Sequence, residues 1–230
     1  MNSFKGFDRD TLLLLAENRF NDSKPYYESV KETLKQKAIV PMREICSDLS
    51  EQLFEIDEHM NLIPVKMVSR IRRDTRRAKN MNMYRDNLWC MFMRNKYEWN
   101  YQPCMWFEFS PGCYSVGVGM FRTDTAYLEK FRETLSENQS EFKFAVKSAR
   151  SVGAEPIVER YTKDKPGEIS SELRDYYNAK NLYFIKSSFD LEPLFDGSVL
   201  DELREAISKY APMYRFLLKV TEKMISEKGR

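Results

Sequence analysis

Hydrophobic residues recur every three to four positions through the first quarter of the chain, a period that predicts amphipathic helices. The first helix is expected to begin after Asp8, a residue type that favours the N-cap. A second helix is expected to start at Asp22 or Ser23, with Pro25 in its first turn, where a missing N–H costs nothing. Pro41 is expected to break or kink that helix, and the helical period resumes beyond it.

Three later runs carry the aromatic and β-branched residues that are typical of strands. These runs are Leu88–Arg94, Cys104–Ser110 and Cys113–Phe121. The sequence Ser-Pro-Gly at 110–112 is a turn signal between the last two runs. Such short connections favour an antiparallel meander over parallel strands joined by crossovers.

Alternation along the third run divides its residues between the two faces of the strand. Val116, Val118 and Met120 share one face, whereas Gly117 and Gly119 share the other. Glycines that repeat on one face indicate that another group packs closely against the backbone. We expect a helix to be that group, with a ligand as the alternative.

The rest of the chain mixes helical and strand patterns. Strands are predicted at residues 154–163 and 181–189, and two helical segments are predicted on either side of Pro212. No internal repeat and no linker long enough to separate domains is visible in the sequence. We therefore predict a single α+β domain over residues 1–230, in which N-terminal helices pack on an antiparallel β-meander and C-terminal helices complete the fold.

The composition of the chain limits which classes of partner are expected. The chain has 230 residues, of which 42% are hydrophobic and 31% charged, so it can bury a sizeable core and has no disorder signature. Basic and acidic residues nearly cancel, 37 against 35, for a net charge of +2. The overall charge therefore gives no argument for a nucleic-acid partner, and only its distribution along the chain does.

The apolar runs of the chain are short. Leu12–Ala16 is the apolar run near the N-terminus, and acids flank it, so a secretory signal is not expected. No run approaches the length of ~18–20 residues that a membrane span requires, so no membrane partner is expected. The four cysteines show no CxxC spacing and are expected to be reduced and mostly buried. These features predict a cytoplasmic protein.

The familiar motifs of cofactor and metal chemistry are missing from the sequence. We expect no cofactor and no metal, and whether the protein is an enzyme stays open. A zinc site built from Cys90, Cys104 and Cys113 is disfavoured against buried thiols, although Cys90 and Cys104 are able to face each other across a hairpin. His59, the single histidine, is expected to be structural or solvated.

A basic segment, residues 70–85, stands out. Six of its first ten residues are cationic, and Asp74 is the one acid among those ten. Three interpretations are open. A nucleic-acid surface would use the cations for phosphates and Tyr84 or Trp89 for base stacking. A pocket for a small anion would use the guanidinium forks. A structural network would pair the arginines with Asp74 and with acids on neighbouring helices.

Glu108 is the acidic residue in the second strand-like run, beside aromatic residues. It fits either a general base with a tuned pKa or a salt-bridge partner for an arginine of the basic segment. We expect the salt bridge, because structural ion pairs also generate such arrangements. Tyr114, Gly117 and Gly119 lie on the next run and are expected to border the same cleft.

Part of the basic segment matches a known motif. Arg73-Asp74-Thr75-Arg76 matches the opening of a signature, and Tyr84-Arg85 matches its close, so the chain resembles the DUF2461 family of proteins of unknown function. The chain departs from that signature at four positions, where the family has Phe, Asp, Lys and Pro: Arg77, Asn80, Met81 and Met83. The resemblance implies a fold and the location of a site, and it implies no reaction.

The leading functional hypothesis is a small anionic ligand held between the basic segment and the sheet. Arg73 and Arg76 would clamp the anion, Asp74 would orient them, and Glu108 would be the candidate acid or base. The alternatives are a nucleic-acid-binding protein and a structural or protein-interaction module. The predicted ligand-binding residues are Arg70, Arg73, Asp74, Arg76, Lys79, Tyr84, Arg85, Trp106, Tyr114, Gly117 and Gly119.

Overall fold

The computed structural model describes residues 3–74, 82–95, 101–120 and 123–228. The fold is α+β, as predicted: helices pack on a five-stranded antiparallel sheet. The strands are β1 Leu88–Phe92, β2 Pro103–Ser110, β3 Cys113–Met120, β4 Glu155–Arg160 and β5 Ala179–Ser188. The helices are α1 Thr11–Asn21, α2 Lys24–Leu34, α3 Val40–Asp48, α4 Ser50–Ile56, α5 Pro64–Met67, α6 Thr125–Glu137, α7 Gln139–Arg150, α8 Arg174–Tyr177, α9 Glu192–Asp196 and α10 Val199–Lys228.

The start of α2 follows the predicted chemistry. The hydroxyl of Ser23 accepts a hydrogen bond from the backbone N–H of Tyr26 at 3.4 Å, and a proline occupies the first turn. Pro41 does not break the helical path, because the chain passes from α2 to α3 through a π-helical turn, Lys35–Ile39. Pro41 cannot donate to the carbonyl of Lys37, and the hydroxyl of Thr11 donates to that oxygen instead, at 3.1 Å.

The sheet has the strand order β1–β2–β3–β5–β4. The first three strands form the predicted meander, with Ser110 opposite Cys113 at the β2–β3 turn. The two strands predicted later in the sequence are β4 and β5. The later of them, β5, pairs directly with β3, so that Tyr183 lies opposite Gly119 and Ile185 opposite Gly117.

Pro212 was expected to separate two helical segments, and this expectation was wrong. Helix α10 runs unbroken for 30 residues with Pro212 inside it. Its neighbours along the chain explain the continuity, because Tyr210, Met213 and Tyr214 are fully buried and their packing holds both halves in line. No helix in the described part of the chain is long and apolar enough to cross a membrane.

The two faces of the sheet differ in their cover. One face carries Phe107, Val116 and Val118 into the main core, where the hydroxyl of Tyr210 in α10 donates to the carbonyl of Val116 at 3.1 Å. The other face, called here the open face, bears a smaller cluster of buried residues. That cluster consists of Met91, Met93, Cys104 and Trp106. Gly117 and Gly119 of β3 lie beside this cluster on the same face.

Candidate functional site

The described parts of the basic segment form the two arms of an irregular hairpin at the β1 edge of the sheet. Three backbone hydrogen bonds join the arms: Ser69 N–H to the Trp89 carbonyl at 2.8 Å, Arg73 N–H to the Met83 carbonyl at 2.7 Å, and Arg85 N–H to the Ile71 carbonyl at 3.0 Å. Residues 75–81, which include Arg76 and Lys79, lie outside the described residues.

Tyr84 anchors this hairpin to the helices. Its ring is fully buried and stacks on Tyr27 of α2, with 4.6 Å between the ring centroids. Its backbone N–H donates to a carboxylate oxygen of Asp22, which follows α1, at 3.0 Å. Burial raises the pKa of the Tyr84 hydroxyl. Tyr84 therefore holds the arm in place and does not face the cleft on the open face.

A cationic groove of about 880 Å³ lies between the first arm and the helices α2 and α3. Basic side chains outnumber acidic ones along its walls. The basic residues that line it are Lys31, Lys35, Arg43, Arg70, Arg72 and Arg73, and the acidic ones are Glu28 and Asp74. The groove thus brings the predicted ligand-binding residues Arg70, Arg73 and Asp74 together with three helical cations that were not predicted.

The cations of this groove fall into two groups. Lys31 pairs with Glu28 at 3.4 Å, and Lys35 pairs with Glu32 at 3.2 Å. Within the described ranges, no carboxylate pairs with the side chains of the groove arginines, which are Arg43, Arg70, Arg72 and Arg73. The Nε atoms of Arg43 and Arg73 are also buried without a hydrogen-bond partner. Buried donors of this kind normally have an acceptor, so the groove is short of negative charge.

Arg85 lies between this groove and the open face. Its guanidinium carbon lies 4.6 Å from the ring centroid of Trp89, and its Nη1 donates to the carbonyl of Arg70 at 2.9 Å. Burial lowers the pKa of Arg85, the charges of Arg73 and Arg70 lower it further, and the charge of Glu108 opposes them. The predicted residues Arg70, Arg73 and Arg85 are therefore brought together.

A second concavity, the aromatic cleft, lies on the open face and has a volume of about 490 Å³. Two tryptophans, a tyrosine, two asparagines and one carboxylate are among its walls. Its lining residues are Asn87, Trp89, Met91, Trp106, Glu108, Met120, Asn181, Tyr183 and Ile185. The cleft and the cationic groove share a wall, because the backbone N–H of Trp89, which lines the cleft, donates to the hydroxyl of Ser69, which lines the groove, at 3.1 Å.

Residues of the neighbouring strands, and not a helix, contact the two glycines of β3, so the expectation of a helix over them was wrong. A Cβ atom at Gly117 would lie 2.6 Å from Cη2 of Trp106, whose indole therefore needs a glycine beneath it. A Cβ atom at Gly119 would lie 2.7 Å from the carbonyl oxygen of Leu182 and from Cα of Tyr183. Gly117 leaves space for the indole of Trp106, which lines the cleft, whereas Gly119 lets the backbone of β5 approach closely.

Within the described residues, Glu108 makes no salt bridge with an arginine of the basic segment. Its carboxylate accepts a hydrogen bond from the side-chain amide of Asn87, two residues beyond Arg85. None of the cations that the structure describes between residues 70 and 85 pairs with it, although the charge of Arg85 acts on it at longer range. Glu108 lines the aromatic cleft as a half-buried acid, held in place by an amide rather than by an arginine.

Tyr114 was predicted to border the cleft, and the structure places it on the other face of the sheet. Its hydroxyl hydrogen-bonds the carboxylate of Glu202 in α10 at 3.0 Å, and burial raises its pKa to about 12. Cys90 and Cys104 are likewise on opposite faces, since Cys90 lies opposite Phe107 and Cys104 is three positions from Phe107, an odd offset along β2. Across the ranges that the structure describes, no group of three or more potential metal ligands occurs. His59 is exposed.

A model of the DUF2461 family, described as conserved hypothetical proteins, matches residues 10–216. The chain belongs to this family. No curated protein matches it. In this DUF2461 protein, the signature residues Arg73 and Asp74 lie on one arm of the hairpin, and Tyr84 and Arg85 lie on the other. Met83, one of the four departures from the signature, packs against the main core.

Sequence reasoning missed several lining residues of both concavities in this DUF2461 protein. The missed residues are Lys31, Lys35 and Arg43 in the groove, and Asn87, Asn181, Tyr183 and Ile185 in the cleft. Lys31 of α2 is four residues before Lys35, the first residue of the π-helical turn that follows, and this spacing indicates a shared helix face. No comparable signal links that face to the basic segment, because their proximity depends on how the helices pack on the sheet edge.

Proposed function

We propose that this DUF2461 protein binds a small ligand bearing phosphate or carboxylate groups in the cationic groove. The observation that carries the proposal is the set of groove arginines, Arg43, Arg70, Arg72 and Arg73, which have no carboxylate partner within the described ranges. Arginine presents a rigid fork of donors that matches carboxylate and phosphate oxygens in pairs. An anion in the groove would supply the missing acceptors.

Buried Nε atoms argue for a ligand over a purely structural network. In a structural network the guanidinium donors would be satisfied by neighbouring acids, as Arg94 is by Asp57 at 2.7 Å. An unsatisfied buried donor costs about 1–3 kcal/mol. The Nε atoms of Arg43 and Arg73, two residues that line the groove, are buried without such a partner. The described acids therefore do not satisfy these two arginines in the way that Asp57 satisfies Arg94.

The concave shape favours a small anion over a nucleic acid. A nucleic-acid backbone needs a basic track that extends along the surface. The cations here line a groove that also holds Glu28 and Asp74, and the net charge of the whole chain is only +2. The nucleic-acid alternative is kept as an arm of the experiment.

The proposed roles are divided between the two walls. Arg73 keeps the clamping role predicted for it, and Arg43 of α3 lines the same groove from the helices. Asp74 lines the same groove and retains the predicted role of orienting the guanidinium groups. The predicted contributions of Arg76 and Lys79 stay predictions. Glu108 lines the aromatic cleft instead, so we propose binding and no reaction.

The test is isothermal titration calorimetry with inorganic phosphate, pyrophosphate and citrate. The variants are Arg43→Gln, Arg73→Gln and Arg73→Lys, each checked for folding by circular dichroism. Each charge-assisted hydrogen bond contributes about 1.5–3 kcal/mol, so each glutamine variant is expected to lose roughly tenfold or more in affinity. Arg73→Lys keeps the charge but not the fork, and it is expected to recover only part of the loss.

Lys163→Gln is the matched control. Lys163 is exposed and does not line the groove, so the substitution removes one positive charge without changing the groove. Its affinity for the anions should equal that of the wild type. Unchanged affinity in both glutamine variants would contradict the proposal. Labelled single-stranded oligonucleotides form the last arm. Binding that weakens steeply with salt, together with no binding of the small anions, would favour the nucleic-acid alternative.

A further inference from the structure

The lining residues of the aromatic cleft come from four strands, β1, β2, β3 and β5, and from Asn87, which precedes β1. Trp106 forms its floor, since the indole lies over Gly117, where no side chain competes for the space. Tyr183 meets Trp106 at an interplanar angle of 65°, with 6.0 Å between the ring centroids. The two rings therefore form a corner, and the half-buried Trp89 lines the same cleft from β1.

The polar groups of the cleft present mainly acceptors at one side. The Asn87 amide donates to the Glu108 carboxylate, which commits a donor of Asn87 and leaves further lone pairs on both side chains. The amide of Asn181 enters the lining from β5. A ligand that satisfies Asn87 and Glu108 together must offer neighbouring hydrogen-bond donors along one edge.

The charges around the cleft nearly balance. Glu108 is the charged residue of its lining, and it disfavours an anion. A cation is disfavoured as well, because the guanidinium of Arg85 already lies 4.6 Å from the ring centroid of Trp89 and would repel it. Small-molecule sites are mostly apolar with a few placed polar groups, which describes this cleft.

We infer that the aromatic cleft is a second binding site, which takes an uncharged ring with an apolar face and neighbouring hydrogen-bond donors on its edge. The apolar face packs on Trp106 and Tyr183, and the donors meet Glu108 and Asn87. Two sources share this chemistry: a pyranose sugar with adjacent hydroxyls, and a nucleobase whose edge carries adjacent N–H groups.

The test is titration of the wild-type protein, followed by tryptophan fluorescence and saturation-transfer NMR. One arm uses methyl glucoside and methyl mannoside; the other uses guanosine, with adenosine as the base that lacks the paired edge donors. Saturation of one arm and not the other identifies the source. Glu108→Gln replaces one carboxylate oxygen with an NH₂ group and is expected to weaken binding about tenfold or more.

Glu168→Gln is the matched control, since Glu168 is exposed and does not line the cleft, and its affinity should equal that of the wild type. Asn181→Leu, on a different strand, serves as the second variant if Glu108→Gln fails to fold. The inference is overturned if neither arm binds, if binding survives these cleft variants unchanged, or if charged analogues of the same rings bind more tightly. Anion binding in the groove is expected to persist in Glu108→Gln, so failures of the two sites are distinguishable.

Discussion

Asp57 offers the sharpest test of how this fold is held together. Its side chain is only 2% exposed, and it joins three separate parts of the chain. Arg94, which follows β1, donates to both carboxylate oxygens at 2.7 and 3.0 Å. The hydroxyl of Tyr214 in α10 donates at 2.8 Å, and the backbone N–H of His59 donates at 3.1 Å.

Substituting Asp57→Asn keeps the shape and removes the charge. Removing one partner of a buried ion pair costs about 3–5 kcal/mol, because the other charge stays buried. The lower end applies here, since Arg94 also pairs with Glu222 at 3.2 Å and is itself 22% exposed. We therefore expect the free energy of unfolding at pH 7 to fall by about 3 kcal/mol.

The effect should depend on pH in a defined direction. Burial alone would raise the pKa of Asp57, but the hydrogen bonds from Arg94 and Tyr214 outweigh burial and hold the pKa below its ordinary value. A lowered pKa in the folded state means that the stabilisation is present above the unfolded-state pKa of about 3.9 and is lost as the pH falls through the folded-state pKa. The gap between wild type and Asp57→Asn should thus narrow below about pH 4.

Urea unfolding followed by far-UV circular dichroism, with a common slope for all variants, measures these free energies. Asp164→Asn is the matched control, because Asp164 pairs with Arg160 at 3.1 Å but is 58% exposed, and a loss below about 1 kcal/mol is expected. A difference below about 1 kcal/mol between Asp57→Asn and wild type at pH 7, or one that persists undiminished at pH 3, would refute the reasoning.

Two further predictions concern Gly117, beneath the aromatic cleft, and Tyr84, which anchors the hairpin. Gly117→Ala should destabilise the protein by about 1–3 kcal/mol and shift its tryptophan emission, because the new methyl group displaces the indole of Trp106. If the folded variant has the same emission spectrum as the wild type under the same conditions, the indole is not displaced and the prediction is wrong. Tyr84→Phe should leave stability unchanged or raise it by about 1 kcal/mol, since the buried Tyr84 hydroxyl has no hydrogen-bond partner; a clear loss of stability in urea unfolding would contradict this.

The elements were predictable where a local signal decided them. Ser-Pro-Gly at 110–112 fixed the β2–β3 turn, and alternation placed Val116 and Gly117 on opposite faces, as found. The same alternation places Tyr114 with Val116, so the sequence held the evidence against Tyr114 as a cleft residue. Pro212 shows the opposite case, because tertiary packing of α10 overrode a strong local helix breaker.

The sites were less predictable because they depend on pairings between distant segments. The cleft requires β5 to lie beside β3, which brings Tyr183 next to Trp106 across 77 positions of sequence. The groove requires α3 to lie beside the basic segment, so that Arg43 and Arg73 line the same groove. Neither pairing produces a pattern in the local sequence. The basic segment therefore indicated the wall of the groove that it forms, and the wall formed by the helices was not predicted.

The hairpin brings the two ends of the family signature close together in this chain. Backbone hydrogen bonds from Arg73 to Met83 and from Arg85 to Ile71 pair the two matching ends of the signature, and they do not depend on side-chain identity. The side chains at those ends take different positions: Arg73 lines the groove, Tyr84 packs on Tyr27, and Arg85 stacks on Trp89. Because the chain keeps these end residues and departs from the signature between them, substitutions on the arms should change anion binding more than substitutions at the departing positions. Titration of Arg73→Gln beside Asn80→Asp tests this order, and a larger loss of affinity in Asn80→Asp would contradict it.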